Sequence, residues 1–451
     1  MGNKHKIAVA TLGCKVNQFE SAGIIEKFTG KDFTVAPFSN TADIYIINTC
    51  TVTSAADYQS RQLIRRAHRK NPEASIIVTG CCAQMAPREI ADLPGVTIVA
   101  GNSEKEKIPD IIRNTAQGKP VCARQSPAGR QQILVGDISK SGKISDFTVS
   151  GFPERTRAFI RIQDGCNSFC SYCIIPYARG RSRSLPEKDA LGQIGRLADA
   201  GYREIVLSGI HLGIYGQDLS PPTDLLNLLR KAEENKTVER LRLSSIEPAE
   251  ITDKMITHIE NSKVVCHHLH IPLQSGDNKI LSLMKRNYDA ESFKYLIERL
   301  LDKVPDMAIG IDVMAGFPGE GEREFENTLE FIEGLPVAYL HVFPYSERPG
   351  TRSPTLPDKV KDDIKTKRCH ILRTLGKKKR AAFAERFTEK ELAVLIEGKK
   401  DGKTGLMRGF SENYIPVLVT NGNPSLINNV IDVIADRAEE GKIFGRKIVN
   451  G

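Results

Sequence analysis

Strand-like and helix-like segments alternate along the N-terminal quarter of the chain, and this order limits the fold more than any other feature. The predicted elements are a strand at 6–12, a helix at 17–28, a strand at 43–48, a helix at 54–70, a strand at 75–79 and a helix at 87–92. Such alternation predicts a parallel, doubly wound α/β sheet. Each of the three strands runs directly into a cysteine: Cys14, Cys50 and Cys81.

Two further regions follow a connection rich in Gly, Ser, Lys and Pro, which holds one predicted strand near 132–135. Six strands with intervening helices, at 158–163, 204–208, 240–244, 268–272, 309–314 and 339–343, predict a partial βα barrel with its chemistry at the carboxyl ends of the strands. After a basic helix at 358–387, short strands punctuated by Gly and Asn predict a small antiparallel β-barrel. The predicted domains are 4–118, a linker at 119–151, a barrel at 152–384 and the terminal barrel at 388–449.

The most specific motif is a CxxxCxxC spacing, Cys166, Cys170 and Cys173, on the loop after the first barrel strand. Three thiolates this close hold three irons of a [4Fe–4S] cluster and leave the fourth iron without a protein ligand. That open iron binds a small molecule through its amino and carboxylate groups and passes it an electron. Zinc is the alternative, but structural zinc takes four ligands, and no fourth Cys or His lies close in sequence.

The earlier cysteines, Cys14, Cys50 and Cys81, are scattered in sequence, but a parallel sheet brings them to one crevice at the carboxyl edge of its strands. We therefore predict a second cluster with one open iron. The alternative is that three small residues are simply buried at strand ends.

Composition favours cysteines that bind metal over cysteines that form disulfides. The chain of 451 residues has ten cysteines and a net charge of +9, and no apolar run approaches the roughly 20 residues that span a bilayer. We find no export signal at the N-terminus and predict a cytoplasmic protein without a membrane partner, in which thiols stay reduced. The positive charge suits a polyanionic partner.

Three sequence motifs resemble those of the radical SAM (S-adenosylmethionine) methylthiotransferases, and the resemblance covers essentially the whole chain. The motif at residues 11–21, TLGCKVNQFES, and the motif at 341–351, HVFPYSERPGT, are similar to the MtaB branch rather than to the MiaB or RimO branches. The third motif, Gly-Cys-x-Ala-Gln, matches 80–84 and assigns the third auxiliary ligand to Cys81, with Cys82 at the variable position. Three other cysteines match no ligand position and are interpreted as structural: Cys122, Cys266 and Cys369.

The resemblance also implies residues that contact SAM. Gly209, after the second barrel strand, resembles the turn whose backbone approaches the SAM amino group, and Glu247 resembles the residue that contacts the ribose. Tyr172 in the cysteine loop, with Gln274 and Gly316 beyond later strands, completes the implied set. The alternatives are a solvated loop for Glu247 and simple turn chemistry for Gln274 and Gly316.

The implied reaction uses two [4Fe–4S] clusters and two molecules of SAM, one as methyl donor and one cleaved reductively to a 5′-deoxyadenosyl radical. The implied product carries a methylthio group on carbon 2 of N6-threonylcarbamoyladenosine at tRNA position 37, beside the anticodon. An aromatic C–H has no acidic proton, so we expect the cofactors, and no catalytic triad, to supply the reactive species. The implied partners are the tRNA anticodon stem-loop and a reductase or flavodoxin-type electron donor, and we expect a monomer.

Three alternatives to this function remain open on the sequence alone. Two are methylthiotransferases with another target, either an isopentenylated adenosine in tRNA or a ribosomal protein. The third is a non-catalytic iron–sulfur RNA-binding protein that senses redox state.

Basic side chains are the expected RNA contacts. The terminal barrel resembles a TRAM domain, an OB-like RNA-binding module, with a core at about 390–447. Further contacts are predicted from the helix after Cys50 and from the segment after the cysteine loop, with a solvated helix face as the alternative. These residues are Arg61, Arg65, Arg66, Arg69 and Lys70, and Arg179, Arg181 and Arg183.

Overall fold

The computed structural model describes residues 5–28, 33–116, 132–152 and 155–448. They form two compact units, each described by itself below. The first draws on Met1–Ser150, Gln163–Leu185 and Ser346–Thr351, and the second on Gly151–Ile162, Pro186–Tyr345 and Arg352–Gly451. The predicted domain bounds stay predictions.

A six-stranded parallel sheet forms the body of the first unit, in the order β2-β1-β3-β4-β5-β6. The strands are β1 (His5–Thr11), β2 (Phe33–Ala36), β3 (Ile44–Thr49), β4 (Ser75–Gly80), β5 (Val96–Ala100) and β6 (Gln132–Leu134). The helices are α1 (Lys15–Glu26), α2 (Ser54–Lys70), α3 (Cys81–Met85), α4 (Pro87–Ala91) and α5 (Ile108–Ala116). Strands β3 and β4 are buried along almost their whole length, with apolar residues at their centres, because both faces of a parallel sheet are covered.

The predicted parallel sheet is confirmed, but it has three strands more than the N-terminal alternation indicated. β2 and β5 are only four and five residues long, too short for a clear periodic signal. β6 was expected as a strand of the connection, and it pairs instead with β5 as the sixth strand of the sheet.

The segment after the connection contributes to both units. β7 (Arg157–Arg161) belongs to the second unit, whereas β8 (Gln163–Asp164), α6 (Ile175–Arg179) and β9 (Arg183–Ser184) belong to the first. β8 and β9 pair antiparallel, Gln163 with Ser184 and Asp164 with Arg183. This pair closes the base of the loop that carries Cys166, Cys170 and Cys173.

The second unit begins with the predicted partial βα barrel. Its six parallel strands form two sheets, β11-β10-β7 and β12-β13-β14, which isolated bridges join at Ser245 and His270 and at Leu241 and Val265. Beyond β7 the strands are β10 (Glu204–Ser208), β11 (Arg240–Leu243), β12 (His268–Gln274), β13 (Ala308–Ala315) and β14 (Tyr339–Pro344). The helices are α7 (Glu187–Asp199), α8 (Leu225–Glu234), α9 (Asp253–Asn261), α10 (Asn278–Leu283), α11 (Ala290–Lys303), α12 (Glu322–Gly334) and α13 (Asp362–Glu385).

The C-terminal strands close a five-stranded barrel, in the order β15-β16-β17-β19-β18. The predicted barrel is confirmed, but it is not wholly antiparallel, because β17 and β19 pair in parallel. They are β15 (Glu391–Lys400), β16 (Met407–Ser411), β17 (Pro416–Val419), β18 (Val430–Glu439) and β19 (Lys442–Lys447). Alternate residues such as Val394, Ile396, Val417 and Val433 fill its core, and closure removes open strand edges. No helix within the described ranges is long and apolar enough to cross a membrane.

Candidate functional site

Three adjacent strands of the first unit present the scattered cysteines at one edge. Cys14, Cys50 and Cys81 lie just beyond the carboxyl ends of β1, β3 and β4, which are neighbours in the sheet. A Cβ atom placed on Gly13 would lie 2.9 Å from the Cys50 Sγ. The Cys50 thiol therefore packs against the backbone beside Cys14, and the sheet brings the cysteines together as the strand pattern predicts.

The surroundings of this triad keep its thiols protonated unless a cation replaces the proton. Burial, and after it the neighbouring Cys81 and Cys14, raises the pKa of the Cys50 thiol to about 11. Three thiolates so arranged repel one another unless positive charge lies between them. Soft sulfur ligands in a set of three fit an iron–sulfur cluster with one iron left open.

A second cysteine set occupies the loop between β8 and β9. Cys166, Cys170 and Cys173 are half-buried, and the Ser168 N–H donates a hydrogen bond of 3.4 Å to the Cys166 Sγ. Gly165 has φ +76°, and a Cβ there would lie 2.0 Å from the Arg181 carbonyl oxygen, so only glycine fits this turn. The loop thus presents its three sulfurs from a fixed backbone.

A buried ionic network in the first unit links the two cysteine segments. Arg179, at the end of α6, donates at 3.0 Å to Glu20 on α1 and at 2.8 Å to Asp164 at the start of the loop. It also donates to the side-chain oxygen of Asn17, whose amide donates at 3.0 Å to the Thr49 carbonyl beside Cys50. Burial alone would lower the pKa of Arg179, but Asp164 and Glu20 hold it well above its usual value.

The network contains more basic than acidic side chains. Lys105 also pairs with Glu20, and Arg183 pairs with Asp164 at 3.1 Å, so three basic groups face two carboxylates. Burial lowers the pKa of Lys105, although Glu20 opposes that shift. The Arg179 guanidinium acts to lower the pKa of the Cys50 thiol, against the larger effect of burial. This charge balance suits a site that must hold several thiolates, and it supports the fit of the triad to an anionic thiolate cluster.

A direct hydrogen-bonded link joins Cys81 to the cysteine loop. The side-chain amide of Asn102 lies 3.8 Å from the Cys81 Sγ and donates at 2.6 Å to the Ala178 carbonyl on α6. Asn102 is buried, so this amide orients the thiol region from within the protein.

The structure corrects the expected RNA contacts at two positions. Arg179 and Arg183 are buried, and their guanidinium groups are held by Asp164 and, for Arg179, by Glu20. Reaching a phosphate would break these ion pairs inside the protein, so we withdraw both residues as RNA contacts.

The remaining basic candidates are accessible. Arg65, Arg66 and Arg69 on α2 are exposed, whereas Arg61 pairs with Glu89 at 2.7 Å. The Lys70 ammonium donates at 3.3 Å to the Phe38 carbonyl. Arg181 is exposed and lies 4.8 Å above the Phe169 ring. These residues stay predicted RNA contacts.

The second unit places the predicted SAM residues of the barrel at strand ends. Gly209 directly follows β10, and Glu247 follows β11 and pairs with Arg286. Gln274 ends β12 with φ +66°, and its buried amide oxygen accepts no hydrogen bond from the described residues, as expected if a ligand supplies the donor. Gly316 follows β13 with φ +78°, and a Cβ there would lie 2.3 Å from Lys365, so packing alone accounts for this glycine.

Tyr172, the fifth predicted SAM residue, is half-buried in the cysteine loop of the first unit. The assignment of all five residues to SAM stays a prediction.

Of the four other cysteines, three are buried and one lies outside the described residues. Cys82, Cys266 and Cys369 are buried, and burial raises the pKa of both the Cys82 and the Cys266 thiols to about 12. Cys122 lies outside the described residues. The structural interpretation of Cys122, Cys266 and Cys369 stays a prediction.

Sequence reasoning missed the acidic half of the network, Glu20 and Asp164, and the buried Lys105. One signal was available, because Asn17 and Glu20 are three residues apart on the helix after Cys14 and so share a face. A further contact was missed: Arg348 donates at 2.7 Å to Thr51 and pairs with Asp57 at the start of α2. Arg348 belongs to a motif that the sequence resemblance singled out without giving it a role.

Comparison with known proteins agrees with this architecture. Residues 6–101 match the family described as "Uncharacterized protein family UPF0004", and residues 160–332 match the radical SAM superfamily. The chain is similar to the threonylcarbamoyladenosine tRNA methylthiotransferase MtaB of Bacillus subtilis, with 40% identity over 95% of this chain and 93% of that one. The MtaB protein of Aquifex aeolicus is 37% identical over 91% and 96%.

Two further similarities bear on fold and branch. The tRNA-2-methylthio-N(6)-dimethylallyladenosine synthase of Pelotomaculum thermopropionicum is 32% identical over 98% of this chain and 97% of its own. Among solved structures, the radical S-adenosylmethionine methyltransferase TsrM from Kitasatospora setae aligns with a TM-score of 0.57 at 15% identity, covering 76% of this chain and 75% of that one. This last likeness concerns the fold alone.

The partial barrel, the CxxxCxxC loop and the matching superfamily profile define a radical SAM enzyme, which implies a [4Fe–4S] cluster and SAM. The N-terminal sheet and the relatives that match nearly the whole chain narrow this class to one family. The chain belongs to the MtaB-type branch of the radical SAM methylthiotransferases. This membership makes the chain an enzyme and rules out the non-catalytic redox sensor, which remained possible on the sequence alone.

Proposed function

We propose that this enzyme transfers a methylthio group to carbon 2 of N6-threonylcarbamoyladenosine at position 37 of tRNA, beside the anticodon. The observation that carries the proposal is the placement of two three-cysteine sets in one compact unit. The names of the similar MtaB relatives support threonylcarbamoyladenosine in tRNA as the substrate.

The proposal assigns one [4Fe–4S] cluster to Cys166, Cys170 and Cys173 and a second to Cys14, Cys50 and Cys81. When bound, these groups and SAM supply the electron, the sulfur and the methyl group that side chains lack. The chain's own residues hold and orient them: each set offers three thiolates and leaves one iron open. Gly209, Glu247, Gln274, Gly316 and Tyr172 are the proposed SAM contacts.

Protein groups around the triad have a defined task in this proposal. Arg179 places buried positive charge near the thiols, and Glu20 and Asp164 fix that charge in position. Lys105 pairs with the same Glu20. Asn17 and Asn102 donate hydrogen bonds around Cys50 and Cys81. Together they stabilise the deprotonated sulfurs that iron requires.

RNA binding is proposed for the exposed arginines of α2, for Arg181 and for the terminal barrel. Phosphate contacts position an RNA without reading its sequence, and bases in a single-stranded loop leave their stack at a cost of a few kcal/mol. An anticodon-loop adenosine is therefore an accessible target. A flavodoxin-type or reductase electron donor, a monomeric state and a cytoplasmic location complete the proposal.

The test is mass spectrometry of tRNA nucleosides from cells that lack the gene, from the same cells with the gene restored, and from cells restored with Cys170→Ala. We expect methylthio-threonylcarbamoyladenosine only with the intact gene and accumulation of the unthiolated precursor in the other two strains. Loss of methylthio-isopentenyladenosine instead would assign the second tRNA substrate, which a similar relative acts on. An unchanged nucleoside profile would redirect the search to a protein substrate such as a ribosomal protein.

A further inference from the structure

Two histidines and an aspartate converge on the three strands β12, β13 and β14 of the second unit. The ligand atoms of His270, Asp312 and His341 all lie within 4.8 Å of one another. The Asp312 Oδ1 is 2.9 Å from the His270 Nε2 and 3.6 Å from the His341 Nδ1. One carboxylate oxygen thus faces two imidazoles whose ring centroids are only 4.7 Å apart.

Strand register explains why these side chains meet. Asp312 and His341 are direct partners in the β13–β14 pair, and His270 sits beside Gly310, two residues before Asp312. Residues two apart on a strand point to the same face, so all three side chains share one face of the sheet. Gly310 makes room on that face for the Tyr339 ring, since a Cβ there would lie 2.1 Å from it.

The Tyr339 hydroxyl fixes the orientation of the buried His270 ring. The Tyr339 hydroxyl lies 3.4 Å from the His270 Nδ1 and 2.8 Å from the His268 Nε2. Histidines that bind metal through one ring nitrogen usually hydrogen-bond through the other, which fixes the ring and its tautomer. His270 has this arrangement, with Nε2 directed at Asp312 and Nδ1 held by Tyr339.

Solvent exposure of the three side chains increases from His270 through Asp312 to His341. The His270 side chain is 9% exposed, that of Asp312 is 23% exposed and that of His341 is 57% exposed. An ion can therefore reach the cluster from solvent, and a water molecule can complete its coordination on the exposed side.

We propose that His270, Asp312 and His341 form a mononuclear binding site for a divalent transition metal ion, with Zn²⁺ as the ion that suits these ligands best. Two imidazoles and one carboxylate with an open fourth position are a recurring zinc ligand set. Zinc bonds of about 2.0–2.1 Å place neighbouring ligands a little more than 3 Å apart. The two separations from the Asp312 oxygen, 2.9 and 3.6 Å, are close to that spacing, and the two histidine nitrogens lie within 4.8 Å of each other. The site uses no cysteine, and its three ligands all belong to the second unit.

The test uses the enzyme with its iron–sulfur clusters intact, purified without oxygen, incubated with Zn²⁺ and dialysed. Zinc per chain is measured by mass spectrometry of the metals, and the zinc environment by X-ray absorption at the zinc edge, where iron does not contribute. We expect about one zinc per chain in a shell of nitrogen and oxygen at about 2.0–2.1 Å, with no sulfur at about 2.3 Å.

Two variants distinguish this site from surface binding. His341→Ala removes the exposed ligand, and we expect zinc affinity to fall at least about tenfold, with iron content and circular dichroism unchanged. His370→Ala removes an exposed histidine on α13 and should leave zinc binding unchanged. Absence of zinc from the wild-type protein, a sulfur shell, or equal binding by His341→Ala would show that the cluster is only a hydrogen-bonded His–Asp–His group.

Discussion

Arg179 and Glu20 form an ion pair of 3.0 Å although they are 159 residues apart, and both side chains are almost inaccessible to solvent. Glu20 lies on the helix that starts after Cys14, and Arg179 ends the short helix that follows the cysteine loop. The pair therefore ties the two cysteine segments together within one unit. Because a buried charge is stable only with its partner, neither segment is expected to hold its conformation without the other.

Replacement of Arg179 by Met should lower the free energy of unfolding by about 3–5 kcal/mol, because it leaves Glu20 and Asp164 with fewer buried partners. Urea unfolding of the cluster-free protein measures this cost. The matched control is Arg203→Met, whose partner Glu239 is about half exposed and whose loss should cost at most about 1 kcal/mol. Equal midpoints for the two variants would contradict a stabilising role of the network.

The ionic network of Arg179, Glu20 and Asp164 also shows which contacts the sequence does not predict. The parallel sheet, the partial barrel and the cysteine positions follow from the strand pattern, because periodicity and chain order specify which strand ends meet. The expected RNA contacts of Arg179 and Arg183 failed because a basic residue in a loop has the same sequence signature whether it meets phosphate or a buried carboxylate. Only the folded structure brings Glu20 to Arg179.

The cluster of His270, Asp312 and His341 could not be predicted from the sequence for a related reason. Each residue lies on a different strand, and no spacing along the chain marks the three as a group. Their proximity depends on the register of three parallel strands, and a shift of one residue would turn one of the side chains to the other face. Register between distant strands is set by packing, which the strand pattern does not determine.

Substitutions in the two cysteine sets should affect different activities of the enzyme. Cys170→Ala should abolish reductive cleavage of SAM, because the loop then offers only two ligands, whereas Cys50→Ala should retain cleavage and lose methylthio transfer. 5′-Deoxyadenosine and the modified nucleoside, quantified from the same reaction, measure the two activities. Cys369→Ala, a buried cysteine predicted to be structural, should retain both. Equal loss of both activities in Cys50→Ala would contradict the separation.

Acid should weaken the second unit through Glu204. Burial alone would raise the pKa of this carboxyl, but Arg242, with hydrogen bonds of 2.7 and 3.0 Å, and then Arg157 and Arg240 hold it below the usual 4.5. A lowered pKa stabilises the fold above about pH 4.5, and that contribution is lost as the pH falls through the lower folded-state value.

The variant Glu204→Gln measures this contribution. It should unfold more easily than wild type at pH 7, and the difference in urea midpoint should shrink below pH 4.5. Glu239→Gln, which changes an exposed carboxylate, should differ little from wild type at any pH. A difference between Glu204→Gln and wild type that stays constant down to pH 3 would rule out the carboxylate as the source.

The exposed arginines of α2 should contribute to tRNA affinity. Replacing Arg65, Arg66 and Arg69 by Ala should weaken binding and reduce the slope of log affinity against log salt by about 0.7 for each phosphate that the variant no longer neutralises. The control replaces three exposed lysines on α9 and α11 of the second unit, Lys254, Lys294 and Lys303. Filter binding at several salt concentrations compares the two, and an equal effect of both triple variants would show that net charge alone matters.

Gly13 should be essential for the triad because of space rather than backbone conformation. It has φ +93°, and a Cβ there would press on the Cys50 Sγ at 2.9 Å, whereas Gly201 has the same φ and nothing within 4 Å. Alanine at either position carries the left-handed penalty of about 1–2 kcal/mol, so Gly201→Ala controls for strain. We expect Gly13→Ala to displace the Cys50 thiol and to lose the iron of the triad while keeping that of the Cys166 loop, as measured by iron content and SAM cleavage. If both variants keep the same iron, Cys50 does not depend on that contact, and its ligand role would have to rest on another conformation of the loop after β3.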